Sequence, residues 1–134
     1  MFTRRRRRIS RSATFVVALA CALGCRAELA SELTVDGQPF YPNSCRSGQV
    51  NGFAGVDLID DGRTLRIVQT PTNQPQAILL DGQQVVDFGL CGTMSLERQG
   101  STVNDITNVM GAATLKCEAA GHSVEGTVSF KNCH

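Results

Sequence analysis

Tryptophan is absent from this 134-residue chain, tyrosine occurs once, as Tyr41, and aromatic residues make up only 5% of it. A flat stacking platform for sugar rings is therefore nearly missing. Histidine is almost as scarce. His122 and His134 are the only two, too few for a histidine-built metal centre. No G-x-S-x-G nucleophile motif, no C-x-x-C pair and no glycine-rich cofactor loop occurs, so the usual signatures of hydrolase, zinc and nucleotide chemistry are lacking. No stretch of ten or more residues has a helical period. The uncharged run over residues 13–24 falls short of the roughly 20 residues that a membrane-spanning helix requires.

What is present begins with five consecutive arginines, Arg4 to Arg8, followed by Arg11 and that short apolar run. A basic head, an apolar middle and small residues at the end describe a secretory signal peptide, expected over residues 1–24. Ala22-Leu23-Gly24-Cys25 resembles a bacterial lipobox, which would make Cys25 the lipidated first residue of the mature protein. Ala18-Leu19-Ala20-Cys21 is the alternative, with Cys21 lipidated. Its first three residues also form an A-x-A signal that is cut without lipidation and leaves a secreted or periplasmic product. Neither cysteine has a leucine three residues before it, where a lipobox usually carries one. On the lipobox reading the protein is exported and anchored in a bacterial cell membrane or outer membrane. Residues 25–31 then form the lipidated N-terminus and a short tether, and residues 32–134 a single β-domain.

Removing the signal changes the charge. The full chain has 13 basic and 12 acidic residues; six of the arginines leave with residues 1–24, so seven basic residues face all 12 acidic ones, a formal net charge of −5. Such a domain has no electrostatic footprint for nucleic acid. Arg26 stands against Glu28 and Glu32, which argues against docking to anionic lipid by charge. The expected membrane contact is the lipid anchor itself.

Four further cysteines, Cys45, Cys91, Cys117 and Cys133, read as two disulfides in an exported domain. Three connectivities are possible and spacing does not decide among them. Cys117 and Cys133 flank one hairpin, but with its turn near Ala120-Gly121 the residue opposite Cys117 lies close to Val124. The expected set is Cys45–Cys133 with Cys91–Cys117.

The rest of the chain has the grammar of strands and tight turns. Apolar stretches are broken by Asp36-Gly37, by Asp60-Asp61-Gly62, by Asp81-Gly82 and by Ala120-Gly121. Asp-Gly between apolar runs is a strong hairpin signal because the turn needs positive φ. In the last hairpin Val124, Val128 and Phe130 alternate with Glu125, Thr127, Ser129 and Lys131, and Ala113, Leu115 and Cys117 share one face. This pattern predicts an all-β domain: a small antiparallel β-sandwich or open barrel with two disulfides. Residues 70–76, with two prolines and no apolar residue, are expected to form an exposed loop.

In layout the chain resembles the mycobacterial surface lipoprotein antigen family. A lipobox there is followed by a strand with a Val-Asp-Gly turn, here Val35-Asp36-Gly37. A cysteine follows soon after, here Cys45, and a second closes the chain after an alternating strand, here Cys133. The resemblance implies a disulfide between these two cysteines and an anchored, outward-facing β-domain with adhesive or host-contact roles and no established catalysis. The chain departs from that pattern in carrying Cys91 and Cys117 and in lacking a long Ser/Thr/Gly-rich tether.

Candidate chemistry is sparse. His122 sits at a turn tip and reads as an exposed turn residue rather than a base or metal ligand; His134 is the terminal residue. Asp57, Asp60 and Asp61 could hold Ca²⁺ through oxygen ligands, although the last two are explained by the turn. Asp87, Glu97 and Asp105 could supply a carboxylate pair for glycoside hydrolysis. Residues 70–76 are the one candidate inhibitory loop. The reading that follows is a non-catalytic envelope lipoprotein with no catalytic residue, metal or cofactor, acting as a displayed binding or structural domain toward a protein or glycan ligand. The alternative is a secreted disulfide-bonded protease inhibitor or small hydrolase.

Overall fold

The computed structural model describes residues 26–72, 74–100 and 107–134; the signal segment, Cys21 and Cys25 lie outside them. Eleven strands follow in order: β1 (Glu28–Ser31), β2 (Leu33–Val35), β3 (Gln38–Phe40), β4 (Ser44–Val50), β5 (Phe53–Asp60), β6 (Arg63–Val68), β7 (Gln76–Asp81), β8 (Gln84–Leu90), β9 (Thr93–Gly100), β10 (Thr107–Ala119) and β11 (His122–Cys133). No helix occurs among the described residues.

Tight turns make the hairpins. Asp36-Gly37, Asn51-Gly52 and Ala120-Gly121 each place both residues at positive φ. That is the type I′ geometry whose twist matches the flanking strands. The strands assemble into two antiparallel sheets. One runs β4-β5-β6-β7-β8; the other runs β3-β2-β11-β10-β9, with β1 also paired to β11. Neither sheet closes on itself, so the fold is an open two-sheet sandwich.

The two sheets cross steeply. β11 meets edge strand β8 at its first residue, through Gln84 and His122, and edge strand β4 at its last, through the Cys45–Cys133 disulfide. A strand that touches both edges of the facing sheet must cross that sheet's strands rather than run along them, which is orthogonal packing. The chain turns the corner between sheets at Cys91-Gly92. There a Cβ on Gly92 would lie 2.0 Å from the Thr114 carbonyl oxygen, and φ is +82°, so only glycine fits.

Alternation fills the space between the sheets. Leu58, Leu65 and Ile67 from one sheet and Leu33, Leu115 and Val124 from the other are almost wholly buried, each contributing roughly 1.5–3 kcal/mol by leaving water. The expected register of the last hairpin holds, with Cys117 opposite Val124. Both expected disulfides form, Cys45–Cys133 and Cys91–Cys117. They clamp opposite edges of the five-stranded sheet to the strands that cross it. Two such cross-links fit an oxidising, extracytoplasmic compartment.

Three local expectations are corrected. Residues 28–31, read as tether, form β1 and pair with residues 128–131 of β11, because β11 is longer than its other neighbour β2 and leaves backbone groups to be satisfied. The loop read over residues 70–76 ends earlier: Pro75 is fully buried, its carbonyl accepts from the Cys91 amide, and Gln76 already belongs to β7. The Asp81-Gly82 turn shifts by one residue, since Asp81 ends β7 opposite Gln84 and the turn is Gly82-Gln83.

Candidate binding face

The titratable residues that suggested chemistry are spent on structure. His122 begins β11 with its side chain 27% exposed rather than standing free at a turn tip. Its Nδ1 donates to Asp36 Oδ2 at 2.8 Å, and its Nε2 lies 3.2 Å from Gln84 Nε2. Asp36 also accepts the Ser123 amide at 2.8 Å. The hydrogen bond from His122, then that from Ser123, hold the Asp36 carboxyl below its usual range. Three turns from both sheets are tied together at this point. Both ring nitrogens are engaged, one with a carboxylate and one with an amide, so the imidazole presents no free nitrogen to a nucleophile.

The three clustered aspartates separate. Arg66 Nε and Nη2 donate to Asp57 Oδ1 and Oδ2 at 2.8 and 3.0 Å. Hydrogen bonding to Asp57 raises the Arg66 pKa above its ordinary value. Asp60 accepts from Arg63 Nη2 at 3.0 Å and from the Tyr41 amide. Asp61 occupies the turn at φ 51°. No three of His, Cys, Asp and Glu come together as a metal-ligand set among the described residues.

Asp87 and Glu97 do not face one bond. Asp87 is on β8, opposite Ile78 and away from the core, while Glu97 is on the outer side of β9 in the other sheet. Asp87 is held by Gln76 Nε2 and by the Gly89 amide at a bulge. Asp105 lies outside the described residues. An open cleft of about 550 Å³ at one end of the sandwich, lined by Phe53, Gln69, Thr70, Pro71, Leu96 and Arg98 among others, contains no carboxylate and no histidine.

The two outer faces differ in chemistry. On the six-stranded sheet, β10 and β11 turn outward Thr114, Lys116, Glu118, Glu125, Thr127 and Ser129, an ordinary solvated surface. The five-stranded sheet shows three rows that run across all its strands. The middle row is Arg46, Asp57, Arg66, Ile78 and Asp87; on one side stand Ser44, Ile59, Thr64, Leu80 and Val85, and on the other Gly48, Gly55, Val68, Gln76 and Leu90. Val85 is 63% exposed and Leu90 52%, while Ile59, Ile78 and Leu80 are half-buried. Asp57 sits nearly buried at the centre between Arg66 and Arg46, the latter 3.9 Å away. Apolar residues around a central charge-paired cluster, on the outside of a sheet, make this face the candidate interaction surface.

Reading along the chain missed this surface, because its members come from five strands and only the pairing register assembles them. One signal for its outermost strand was present. Asn51-Gly52 is a hairpin turn, and it implies that residues 44–50 pair with residues 53–59. Comparison with protein-family models, with curated proteins and with solved structures returns no match.

Proposed function

We propose that this protein is a non-catalytic envelope lipoprotein, anchored through an acylated Cys25, whose folded domain acts by binding through the outer face of its five-stranded sheet. The observation that carries this reading is the contrast between the engaged acids and histidine and the open apolar face bearing Val85 and Leu90. Support for export comes from the signal-like N-terminus and from two disulfides that reinforce a small domain. The anchor follows from the lipobox pattern before Cys25 and from the layout shared with mycobacterial surface lipoprotein antigens. With Cys25 lipidated, Arg26 and Ala27 alone separate it from β1, which holds the domain close to the bilayer.

Complementation of a deletion strain separates binding from catalysis. Val85→Lys changes a side chain that is largely in solvent, so the fold survives, yet it places a charge on the face. The expected outcome is that Val85→Lys fails to restore the deletion phenotype while the double change His122→Ala with Glu97→Ala restores it. Failure of the double change in a folded protein, with Val85→Lys active, would overturn the reading.

A further inference from the structure

We propose that the partner of this face is a second copy of the same chain, docked face to face about a two-fold axis that lies in the interface and runs parallel to β6. The inference rests on the reading of this face as the binding surface and names its occupant.

Rotation about that axis exchanges the edges of the sheet while leaving each row opposite itself. β4 of one copy then faces β8 of the other, β5 faces β7 and β6 faces β6. This single operation brings opposite charges together in the middle row and apolar side chains together in a flanking row. In the middle row Arg46 meets Asp87 of the partner, and the pair occurs twice by symmetry. Arg46 suits such a contact: its side chain is 63% exposed and it reaches its own Asp57 only at 3.9 Å. Asp87 is exposed and is held in place by Gln76 and the Gly89 amide. Arg66 falls on the axis opposite its own copy, and each guanidinium arrives already neutralised by two hydrogen bonds to its own Asp57.

The flanking rows contribute apolar contacts. Leu80 faces Ile59 of the partner, again twice. On the other side Leu90, 52% exposed, faces Gly48 of the partner, above which a Cβ would meet nothing within 4 Å. Gly48 thus leaves a hollow for the leucine, while its row neighbour Gly55 is already covered by the Val68 side chain. An axis perpendicular to the strands, through the middle row, would instead set Arg46 against Arg46 and Asp87 against Asp87.

Five strands about 4.8 Å apart, each presenting about six residues at about 3.3 Å, give a face of roughly 500 Å² per copy. Two copies therefore bury roughly 1,000 Å², the lower limit for a specific interface. A reversible dimer follows, rather than a permanent one. A two-fold parallel to the strands also keeps the two N-termini on one side, as two lipid anchors in one bilayer require.

Sedimentation equilibrium of the mature exported protein, in a detergent matched to solvent density so that any acyl chains do not count, reads the assembly directly. The expected result is a concentration-dependent doubling of mass. Arg46→Glu or Val85→Lys should abolish it, and the charge swap Arg46→Glu with Asp87→Arg should restore it. Restoration by the double change cannot come from misfolding. A monomeric mass at every soluble concentration would overturn the proposal, as would a dimer indifferent to both single changes. If the protein is monomeric and Val85→Lys still fails in the deletion strain, the self-association falls while the binding face stands. If Val85→Lys alters neither mass nor phenotype, both fall.

Discussion

Opening either disulfide should destabilise the domain by an amount set by the chain it closes. Cys45 and Cys133 are 88 residues apart and Cys91 and Cys117 are 26 apart. In the loop-entropy treatment these separations correspond to about 4.6 and about 3.6 kcal/mol at 25 °C. Replacing Cys45 and Cys133 together by alanine should therefore cost about 1 kcal/mol more than replacing Cys91 and Cys117. Burial points the same way: Cys133 is wholly buried and Cys45 7% exposed, whereas Cys91 is half-buried beside the wholly buried Cys117. The consequences should also differ in place. Loss of Cys45–Cys133 frees the edge strand that carries Arg46, so its amides should lose hydrogen-exchange protection before those of β6 and β7. Urea denaturation of the two double variants supplies the free energies. Equal costs, or a larger cost at Cys91–Cys117, would refute the loop argument. Uniform loss of protection across the five-stranded sheet would refute the claim that this disulfide pins the edge.

Ala120 holds φ +49° in the last hairpin, so Ala120→Asn should stabilise by about 0.5–1 kcal/mol, read as a higher urea midpoint, because asparagine tolerates this conformation and forms the Asn-Gly turn. Gly92→Ala should cost at least about 3 kcal/mol by the same assay, since the new methyl would meet the Thr114 carbonyl and the corner holding Cys91 would have to move. The Asp36 carboxyl is held below its ordinary value of 3.8 by His122 and Ser123, so its contribution is complete above about pH 4 and vanishes as pH falls through the folded-state value. Thermal melts should accordingly show Asp36→Asn below the parent protein near neutrality and the two converging in acid; a gap independent of pH would contradict this.

The parts legible in the sequence were those that local chemistry decides. Asp36-Gly37, Asp61-Gly62 and Ala120-Gly121 turn where their residues demand it, and alternation in β10 and β11 announces the buried face. Cys117 opposite Val124 follows from that turn and that alternation. The parts that were not legible depend on distant partners. β4 is an edge strand whose one fully buried side chain is Cys45, so it shows no apolar alternation. β1 is a strand because the end of β11 offers it backbone partners, and nothing in Glu-Leu-Ala-Ser says so. His122 looked free at a turn because Asp36 is 86 residues away. Asp57 looked like a member of an acidic cluster, whereas Arg66, nine residues later on the next strand, claims it. The candidate binding face is the extreme case, since each row takes one residue from each of five strands.

The central claim, an anchored domain that acts at the envelope surface, is tested most directly by mass spectrometry of the N-terminal peptide of the protein recovered from a membrane fraction. The account predicts a chain that begins at Cys25 and carries acyl chains. A soluble product that begins at Cys21 or farther along the chain, with no acyl mass, would contradict it.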